Sequence, residues 1–174
     1  MLIIARNNVE GESIDEYYSS PSLTPEHCYE IIGMEYEYYR IVNDYLDPVL
    51  VHPIFCKVQN YKNVNEWVAD IRDDHFFLTP KEFNIYPYFF EYLHDGSLEY
   101  VNVYMQYLGK LFGTSTIKSK IYAIYKQVLD EKQPRISYWL KEWMKSLFGV
   151  EKALELRAFN KNDWEKKLSN FFKE

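Results

Sequence analysis

The sequence predicts an α+β fold that is predominantly α-helical, in which a small N-terminal antiparallel β element packs against a C-terminal helical layer. Two observations predict this fold. Residues 1–84 form short segments separated by Pro, Asn and Asp, whereas residues 85–174 show sustained helical periodicity. The length of 174 residues suits one domain, because a core of this size buries about two thirds of the surface that the unfolded chain exposes. We therefore expect a single domain over residues 1–174.

The N-terminal part is expected to contain strands and short helices. Residues 1–6 are typical of a strand. Residues 36–42 and 49–58 are rich in β-forming side chains and flank turn residues, which predicts a hairpin with Pro53 at a sheet edge or bulge. Capping residues predict three short helices, which start at Thr24-Pro25, at residues 63–66 and at residues 79–82.

The C-terminal part contains four stretches with apolar side chains at helical spacing. The first stretch starts at Ser97 and ends at Gly113, and the second ends before Pro134. The third ends at Gly149, and the last is opened by Asn162 with Glu165 three residues later. In chain order, the apolar faces are Tyr100, Tyr104, Tyr107, Leu108 and Leu111; Ile117, Ile121, Ile124 and Val128; Ile136, Trp139, Leu140, Trp143 and Leu147; and Trp164, Leu168 and Phe171.

Acidic and basic residues are segregated along the chain. Residues 1–100 carry 18 acidic and 6 basic side chains, a balance of −12, and residues 101–174 carry 8 acidic and 14 basic ones, a balance of +6. If the two halves pack as separate layers, the protein has a negative face that attracts basic partners and repels DNA. If the halves interleave in space, the opposite charges offset each other and no such face forms.

Tyrosine is the most unusual part of the composition, with 17 Tyr beside 11 Phe and 4 Trp. Each buried hydroxyl needs a hydrogen-bond partner, so we expect a good share of these rings at the surface, where they provide contact area for a partner. The alternative is that Tyr simply replaces Phe at half-buried positions.

The location of the protein is predicted from its cysteines and its apolar segments. Cys28 and Cys56 are far apart and form no CxxC motif, which favours free thiols in a reducing cytoplasm. The acidic N-terminal residues predict no signal peptide, and no segment approaches the ~20 apolar residues that a membrane span requires. We therefore expect a cytoplasmic protein with no membrane contact.

Motifs of catalysis and of cofactor binding are missing from the sequence. The six glycines form neither GxGxxG nor GxxxxGK[ST], and the four histidines form neither HExxH nor HxxxH. We expect no enzymatic activity, no cofactor and no metal ion; an enzyme that uses a carboxylate or His75 is the alternative.

A basic cluster in the C-terminal part would suit nucleic acid, because lysines there are interspersed with tyrosines. An isoelectric point near 5.3 favours a solvated lysine-rich helix face instead, so we expect no nucleic-acid partner. The cluster comprises Lys118, Lys120, Lys126, Lys132 and Arg135, with Tyr122 and Tyr125.

Residues 37–44 (EYYRIVND) and 47–50 (DPVL) resemble small immunity proteins that protect bacteria from polymorphic and contact-dependent growth-inhibition toxins. The resemblance covers residues 37–108, and the extended C-terminal helices depart from the shorter relatives. Its further motifs are Trp67-Val68, Asp73-Asp74, Phe77-Leu78, Pro80, Glu82-Phe83, Phe89-Phe90-Glu91 and His94-Asp95-Gly96.

The resemblance implies a protein that binds one cognate toxin domain, often a nuclease, and blocks its active site or its nucleic-acid surface. An acidic, tyrosine-rich surface suits the basic cleft of such a toxin. The alternative is an antirestriction or anti-CRISPR type inhibitor from a mobile element, whose acidic surface mimics nucleic acid. The candidate partner contacts are Glu10, Glu12, Asp15, Glu16, Tyr17, Tyr18, Glu35, Glu37, Asp44, Asp47, Asp70, Asp73 and Asp74.

Overall fold

A computed structural model describes residues 2–5, 23–60, 67–72, 75–84, 88–129 and 136–173. The chain divides into two compact units, Met1–Pro87 and Tyr88–Glu174. Of the described residues, 52% are helical and 27% lie in strands.

The first unit contains every strand of the described residues, in one antiparallel sheet of seven strands. The strand order is β4-β3-β2-β1-β5, and β7 pairs with both β2 and β6. A 3-10 turn at Pro53–Phe55 precedes β5, and the short helix α1, Lys81–Asn84, follows β7. The strands are β1 (Leu2–Ala5), β2 (Cys28–Glu35), β3 (Tyr38–Val42), β4 (Pro48–Val51), β5 (Cys56–Asn60), β6 (Trp67–Arg72) and β7 (His75–Pro80).

Strand β2 is central to the sheet because two different strands pair with it along one edge. Its first half pairs with β1, with Ile3 opposite Tyr29, and its second half pairs with β7, with Met34 opposite Leu78. The register with β3 shifts between Ile31 and Gly33, an irregularity of the kind that bends a strand. The β6–β7 hairpin therefore continues the sheet beside the second half of β2.

One face of this sheet carries the apolar core of the first unit. Ile3, Ile31 and Ile41 have at most 1% of their surface exposed, and the thiol-bearing Cys56 is also buried. Trp67 at the start of β6 packs against the same cluster. Burial of these side chains removes apolar surface from water, which stabilises the sheet by roughly 25 cal/mol for each Å² buried.

The prediction of a small N-terminal β element is wrong. The described part of the first unit is a seven-stranded sheet with its own core. Three strands lie where no strand was predicted. Strand β2 begins at Cys28, where a helix was predicted from Thr24, and β6 begins at Trp67, directly after the capping pattern of residues 63–66. That capping pattern itself lies outside the described residues. Strand β7 spans His75–Pro80 and includes the first two residues of the helix start predicted at residues 79–82. The helix predicted from residues 79–82 is present as α1.

The helices of the second unit follow the predicted apolar stretches. Helix α3 lies between Ser97 and Gly113, and α5 ends at Gly149, as predicted. Helix α6 begins two residues earlier than predicted, because Asn160 and Asp163 form the capping box. Helix α2 was not predicted. The helices are α2 (Phe89–His94), α3 (Leu98–Phe112), α4 (Thr114–Leu129), α5 (Tyr138–Phe148) and α6 (Lys161–Phe171), with a 3-10 segment at Ala153–Ala158.

Large aromatic side chains form the core of the second unit. Trp139, Trp143 and Trp164 are each at most 1% exposed. The ring centroids of Tyr104 and Trp139 lie 5.5 Å apart, edge to face. The Trp143 indole N–H donates to Asn102 Oδ1 at 3.1 Å, as expected for a buried indole that needs an acceptor.

The described tyrosines occupy exposed, half-buried and buried positions, and the half-buried ones are Tyr38, Tyr39, Tyr45, Tyr100, Tyr107 and Tyr122. Among the described tyrosines, Tyr29, Tyr104 and Tyr125 are buried, whereas Tyr36, Tyr88, Tyr92 and Tyr138 are exposed.

Of the helices that the structure describes, none combines the length and the apolar character needed to cross a membrane.

Candidate protein-binding surface

The structure describes five of the thirteen predicted contact residues. Glu35 ends β2, Glu37 lies in the turn to β3, Asp44 and Asp47 lie between β3 and β4, and Asp70 lies in β6. The other eight lie outside the described residues: Glu10, Glu12, Asp15, Glu16, Tyr17, Tyr18, Asp73 and Asp74.

Asp44 makes hydrogen bonds within the first unit. Its carboxylate accepts from the Thr24 hydroxyl at 2.7 Å and from the Thr24 backbone N–H at 3.2 Å. It also accepts from the Tyr29 hydroxyl, which lies 3.0 Å from both carboxylate oxygens. Burial raises the pKa of Tyr29, and the hydrogen bond to Asp44 adds to the rise. Asp44 thus joins the β3–β4 turn to β2 and to the segment that precedes it.

Asp47 belongs to the same turn, through its backbone. Its N–H donates to Asn43 Oδ1 at 2.8 Å, and its carbonyl accepts from the Asn43 N–H at 3.0 Å. Asn43 is only 3% exposed. This reciprocal pair sets the shape of the turn and joins the ends of the two strands.

Glu35 and Asp70, from two different predicted clusters, are brought together by the sheet. Phe77 of β7 is opposite Glu35 of β2 on one side and opposite Asp70 of β6 on the other. Side chains at paired positions project from the same face of a sheet. A strand spacing of about 4.8 Å puts the Cα atoms of Glu35 and Asp70 about 10 Å apart.

Glu35 is paired with Arg40 of the neighbouring strand β3, a contact that sequence reasoning missed. The Arg40 guanidinium donates to the Glu35 carboxylate, and through Nη1 to the Pro48 carbonyl at 3.2 Å. The side chains of Arg40 and Glu35 are 9% and 19% exposed. The negative charge of Glu35 is therefore largely balanced within the sheet. One feature of the sequence could have pointed to an ion pair of Arg40. It is one of only 6 basic residues among the first hundred, so a nearby carboxylate is an expected partner.

Aromatic rings flank the row that contains Asp70. Tyr36 is 47% exposed, and its ring centroid lies 4.1 Å from that of His75 and 5.9 Å from that of Phe77. Two residues from Asp70 in β6, and so on the same face, Val68 is 37% exposed. This surface is called the β2–β7–β6 face and comprises Glu35, Tyr36, Val68, Asp70, His75 and Phe77. The exposed carboxylate of Glu37 follows Tyr36 directly.

The opposite face of the β6–β7 hairpin also exposes apolar side chains. Ile71 and Phe76 are direct cross-strand partners, and they are 73% and 44% exposed. Exposed apolar residues that cluster on one element, rather than scatter singly, are typical of interaction surfaces. The hairpin therefore offers contact area on both of its faces.

The histidines and cysteines of the described residues have structural neighbours. His52 Nδ1 accepts from the Ile54 backbone N–H at 3.2 Å, at the start of the 3-10 turn. The exposed Cys28 thiol donates to Gln59 Oε1 at 3.1 Å. Within the described ranges, no three His, Cys, Asp or Glu side chains are grouped so that they could hold a metal ion.

No family model matches the chain, and comparison with curated proteins and with solved structures also gives no match.

Proposed function

We propose that this chain is an immunity protein that binds a cognate toxin domain, of the nuclease type, and blocks its basic active-site or nucleic-acid-binding surface. The observation that carries the proposal is the β2–β7–β6 face, where Asp70 lies in one row with Phe77 and Glu35 and where Tyr36 and Val68 are exposed. The resemblance of residues 37–108 to immunity proteins includes four of the six residues of this face, Val68, Asp70, His75 and Phe77.

The charge of the first unit supports a cationic partner. Residues 1–87 carry 15 acidic and 6 basic side chains, a balance of −9, whereas residues 88–174 carry 11 acidic and 14 basic ones, a balance of +3. A nuclease presents cationic side chains to the phosphates of its substrate, so an acidic unit is attracted to that cleft and competes with nucleic acid.

The aromatic residues supply the second requirement of an inhibitor, which is a long residence time. Charge complementarity accelerates association, whereas buried aromatic anchors slow dissociation. Tyr36 suits an anchor because its ring lies against that of His75 while the residue is 47% exposed. Little side-chain entropy is lost when such a pre-positioned ring is covered.

Two of the predicted contacts, Glu35 and Asp44, make side-chain contacts within the first unit. Glu35 is balanced by Arg40, and Asp44 holds Thr24 and Tyr29, so both support the fold of the surface. Asp70 and Glu37 are the candidates for direct contact with the partner because of their positions, since Asp70 belongs to the β2–β7–β6 face and Glu37 is exposed directly after Tyr36. Asp73 and Asp74 follow β6 in the sequence and add to the charge of the same segment.

The proposal is tested by expressing the chain in cells that produce the toxin encoded by the directly adjacent gene. Wild-type protein is expected to restore growth and to co-purify with the toxin domain. A Tyr36→Ala and Asp70→Lys double variant is expected to lose both effects. The matched control changes an exposed Tyr and an exposed Glu of the second unit, Tyr138→Ala and Glu151→Lys, and is expected to protect as wild type does. Failure of the wild-type protein to protect would contradict the proposal.

A further inference from the structure

A cleft of about 570 Å³ lies between helices α4 and α6 of the second unit. Its volume falls within the range of roughly 300 to 1,000 Å³ that is typical of small-molecule sites. One face of α4 forms one wall, with Ser115, Lys118, Ser119, Tyr122 and Lys126 at helical spacing. On α6, the buried Trp164 and Leu168 form the apolar floor.

The described lining is cationic. It contains the three ammonium groups of Lys118, Lys126 and Lys161 against the single carboxylate of Glu165. The whole second unit also carries a net charge of +3, from 14 basic and 11 acidic side chains. Concave surfaces with charges of one sign over apolar walls concentrate counter-ions. The cleft therefore favours an anion with more than one negative charge.

Two of these lysines are held in place by neighbours in the cleft. Lys118 Nζ donates to Ser169 Oγ at 3.0 Å, which leaves other donors of the ammonium for a ligand, since each ammonium has three. Lys126 Nζ lies 5.5 Å from the centroid of the Tyr122 ring, a distance at which the ring attracts the charge.

Lys161 can exchange its partner at little cost. Its Nζ lies 3.5 Å from Glu165 Oε1, and the two side chains are 65% and 60% exposed. Exposed ion pairs of this kind contribute about 1 kcal/mol or less. An incoming phosphate can therefore take the place of the Glu165 carboxylate beside Lys161.

From these contacts we infer that the cleft between α4 and α6 binds a small phosphate-bearing molecule of nucleotide size. Lys118 and Lys126 are eight residues apart on α4, which separates them by about 12 Å along the helix axis. A single orthophosphate reaches only one of them, whereas a nucleotide can span both. Terminal phosphate oxygens accept from the ammonium groups and from the hydroxyls of Ser115 and Ser119.

The apolar part of the cleft suits the rest of such a ligand. The half-buried ring of Tyr122 offers an apolar wall for a base or another ring, and the buried Leu168 lies in the lining below it. Because all of these residues belong to the second unit, the inference goes beyond the proposed function and does not depend on it.

Lys120 provides a matched control on the same helix. Its Nζ lies 5.8 Å from the centroid of the Phe112 ring, and it is not part of the described lining. The sequence placed Lys118, Lys120 and Lys126 together on one solvated helix face. The structure separates them, because Lys118 and Lys126 line the cleft and Lys120 does not.

The experiment is a calorimetric titration of the full chain with ATP, inorganic tripolyphosphate and orthophosphate at constant ionic strength. ATP is expected to bind more tightly than tripolyphosphate, and tripolyphosphate more tightly than orthophosphate. Loss of one charged hydrogen bond in Lys118→Gln or Lys126→Gln is expected to weaken ATP binding about tenfold. Lys120→Gln is expected to bind ATP as the wild type does.

The inference is overturned if none of the three probes binds, or if Lys120→Gln weakens binding as much as Lys118→Gln. If tripolyphosphate binds as tightly as ATP, the apolar wall contributes nothing to affinity, and this result would contradict a ligand of nucleotide size. Circular dichroism of each variant checks the fold. If Lys118→Gln does not fold because Ser169 loses its partner, the exposed Lys126→Gln variant decides the outcome.

Discussion

The Tyr29 hydroxyl and the Asp44 carboxylate are joined by a hydrogen bond of 3.0 Å between β2 and the β3–β4 turn. The same carboxylate receives both donors of Thr24, the hydroxyl and the backbone N–H. A residue that the sequence suggested as a partner contact therefore connects three segments of the first unit. These hydrogen bonds contribute to the stability of the first unit.

Replacing Asp44 by Ala is expected to lower the free energy of unfolding by about 1 to 3 kcal/mol, because the Tyr29 hydroxyl and Thr24 lose their acceptor. A double-mutant cycle with Tyr29→Phe should give a coupling energy of at least about 0.5 kcal/mol. The measurement is urea unfolding. Glu37→Ala, in an exposed turn, is the control and should change stability by less than about 0.5 kcal/mol. Equal effects of Asp44→Ala and Glu37→Ala would contradict this role.

Stability should fall at alkaline pH because of Tyr125. Its hydroxyl donates to the Leu156 carbonyl at 2.6 Å, and burial raises its pKa above the ordinary value. A raised folded-state pKa gives stability that is complete below the unfolded pKa of about 10 and is lost as pH rises through the higher folded pKa.

Unfolding in urea at about pH 8 and about pH 11 measures this loss, which is expected to be smaller in Tyr125→Phe than in the wild type. Tyr29 shifts in the same direction, so the double variant Tyr29→Phe and Tyr125→Phe should lose the least. Identical losses in the wild type and in both variants would show that neither tyrosine has a raised pKa.

Gly96 and Gly149 allow the cost of a close contact to be separated from the cost of backbone strain. Both have positive φ, +78° and +68°, so Ala costs about 1 to 2 kcal/mol at either position. A Cβ at Gly96 would also lie 2.9 Å from Cε1 of Tyr138, whereas nothing lies within 4 Å of a Cβ at Gly149. Gly96→Ala should therefore be the more destabilising in thermal unfolding, and Tyr138→Ala should remove the excess. No excess, or an excess that persists without Tyr138, would contradict the contact.

The start of α6 can be tested with two neighbouring asparagines. Asn160 Oδ1 accepts from the backbone N–H groups of Asn162 and Asp163, and Asp163 accepts in return from the Asn160 N–H. Asn160→Ala is expected to cost about 1 kcal/mol of unfolding free energy. Asn162→Ala, the cap that the sequence predicted, should cost less. A larger loss of unfolding free energy in Asn162→Ala than in Asn160→Ala would indicate that Asn162 caps the helix.

The sequence predicted four of the five described helices of the second unit, all except α2, because their determinants are local. The apolar residues of α3 repeat every three or four positions, and Ser97 and Gly113 lie at its ends. These features are read within one segment of the chain. The error at Asn160 is of the same local kind, since two polar residues near the start of α6 both fit a cap.

Strand β1 and the β3–β4 hairpin lie in segments that the sequence predicted as strands, whereas β2, β6 and β7 were not predicted because their determinants are distant in sequence. The hydroxyl of Thr24, expected to cap a helix, instead donates to Asp44, and Glu26 has a φ of 63° that no right-handed helix accepts. The row of Asp70, Phe77 and Glu35 exists only once β6, β7 and β2 are paired. The contact between Arg40 and Glu35 could not be predicted for the same reason, because it depends on the pairing of β2 with β3.

The association rate constant of the chain with its toxin domain tests the central claim most directly. Stopped-flow mixing at low and high ionic strength compares the wild type with Asp70→Lys, Glu37→Lys and the control Glu151→Lys of the second unit. The first two variants are expected to associate about tenfold more slowly at low salt and to depend less on salt, because steering by the β2–β7–β6 face and Glu37 is lost. The control should match the wild type. Association rates that stay unchanged in Asp70→Lys and Glu37→Lys, or that fall equally in Glu151→Lys, would contradict binding through this face.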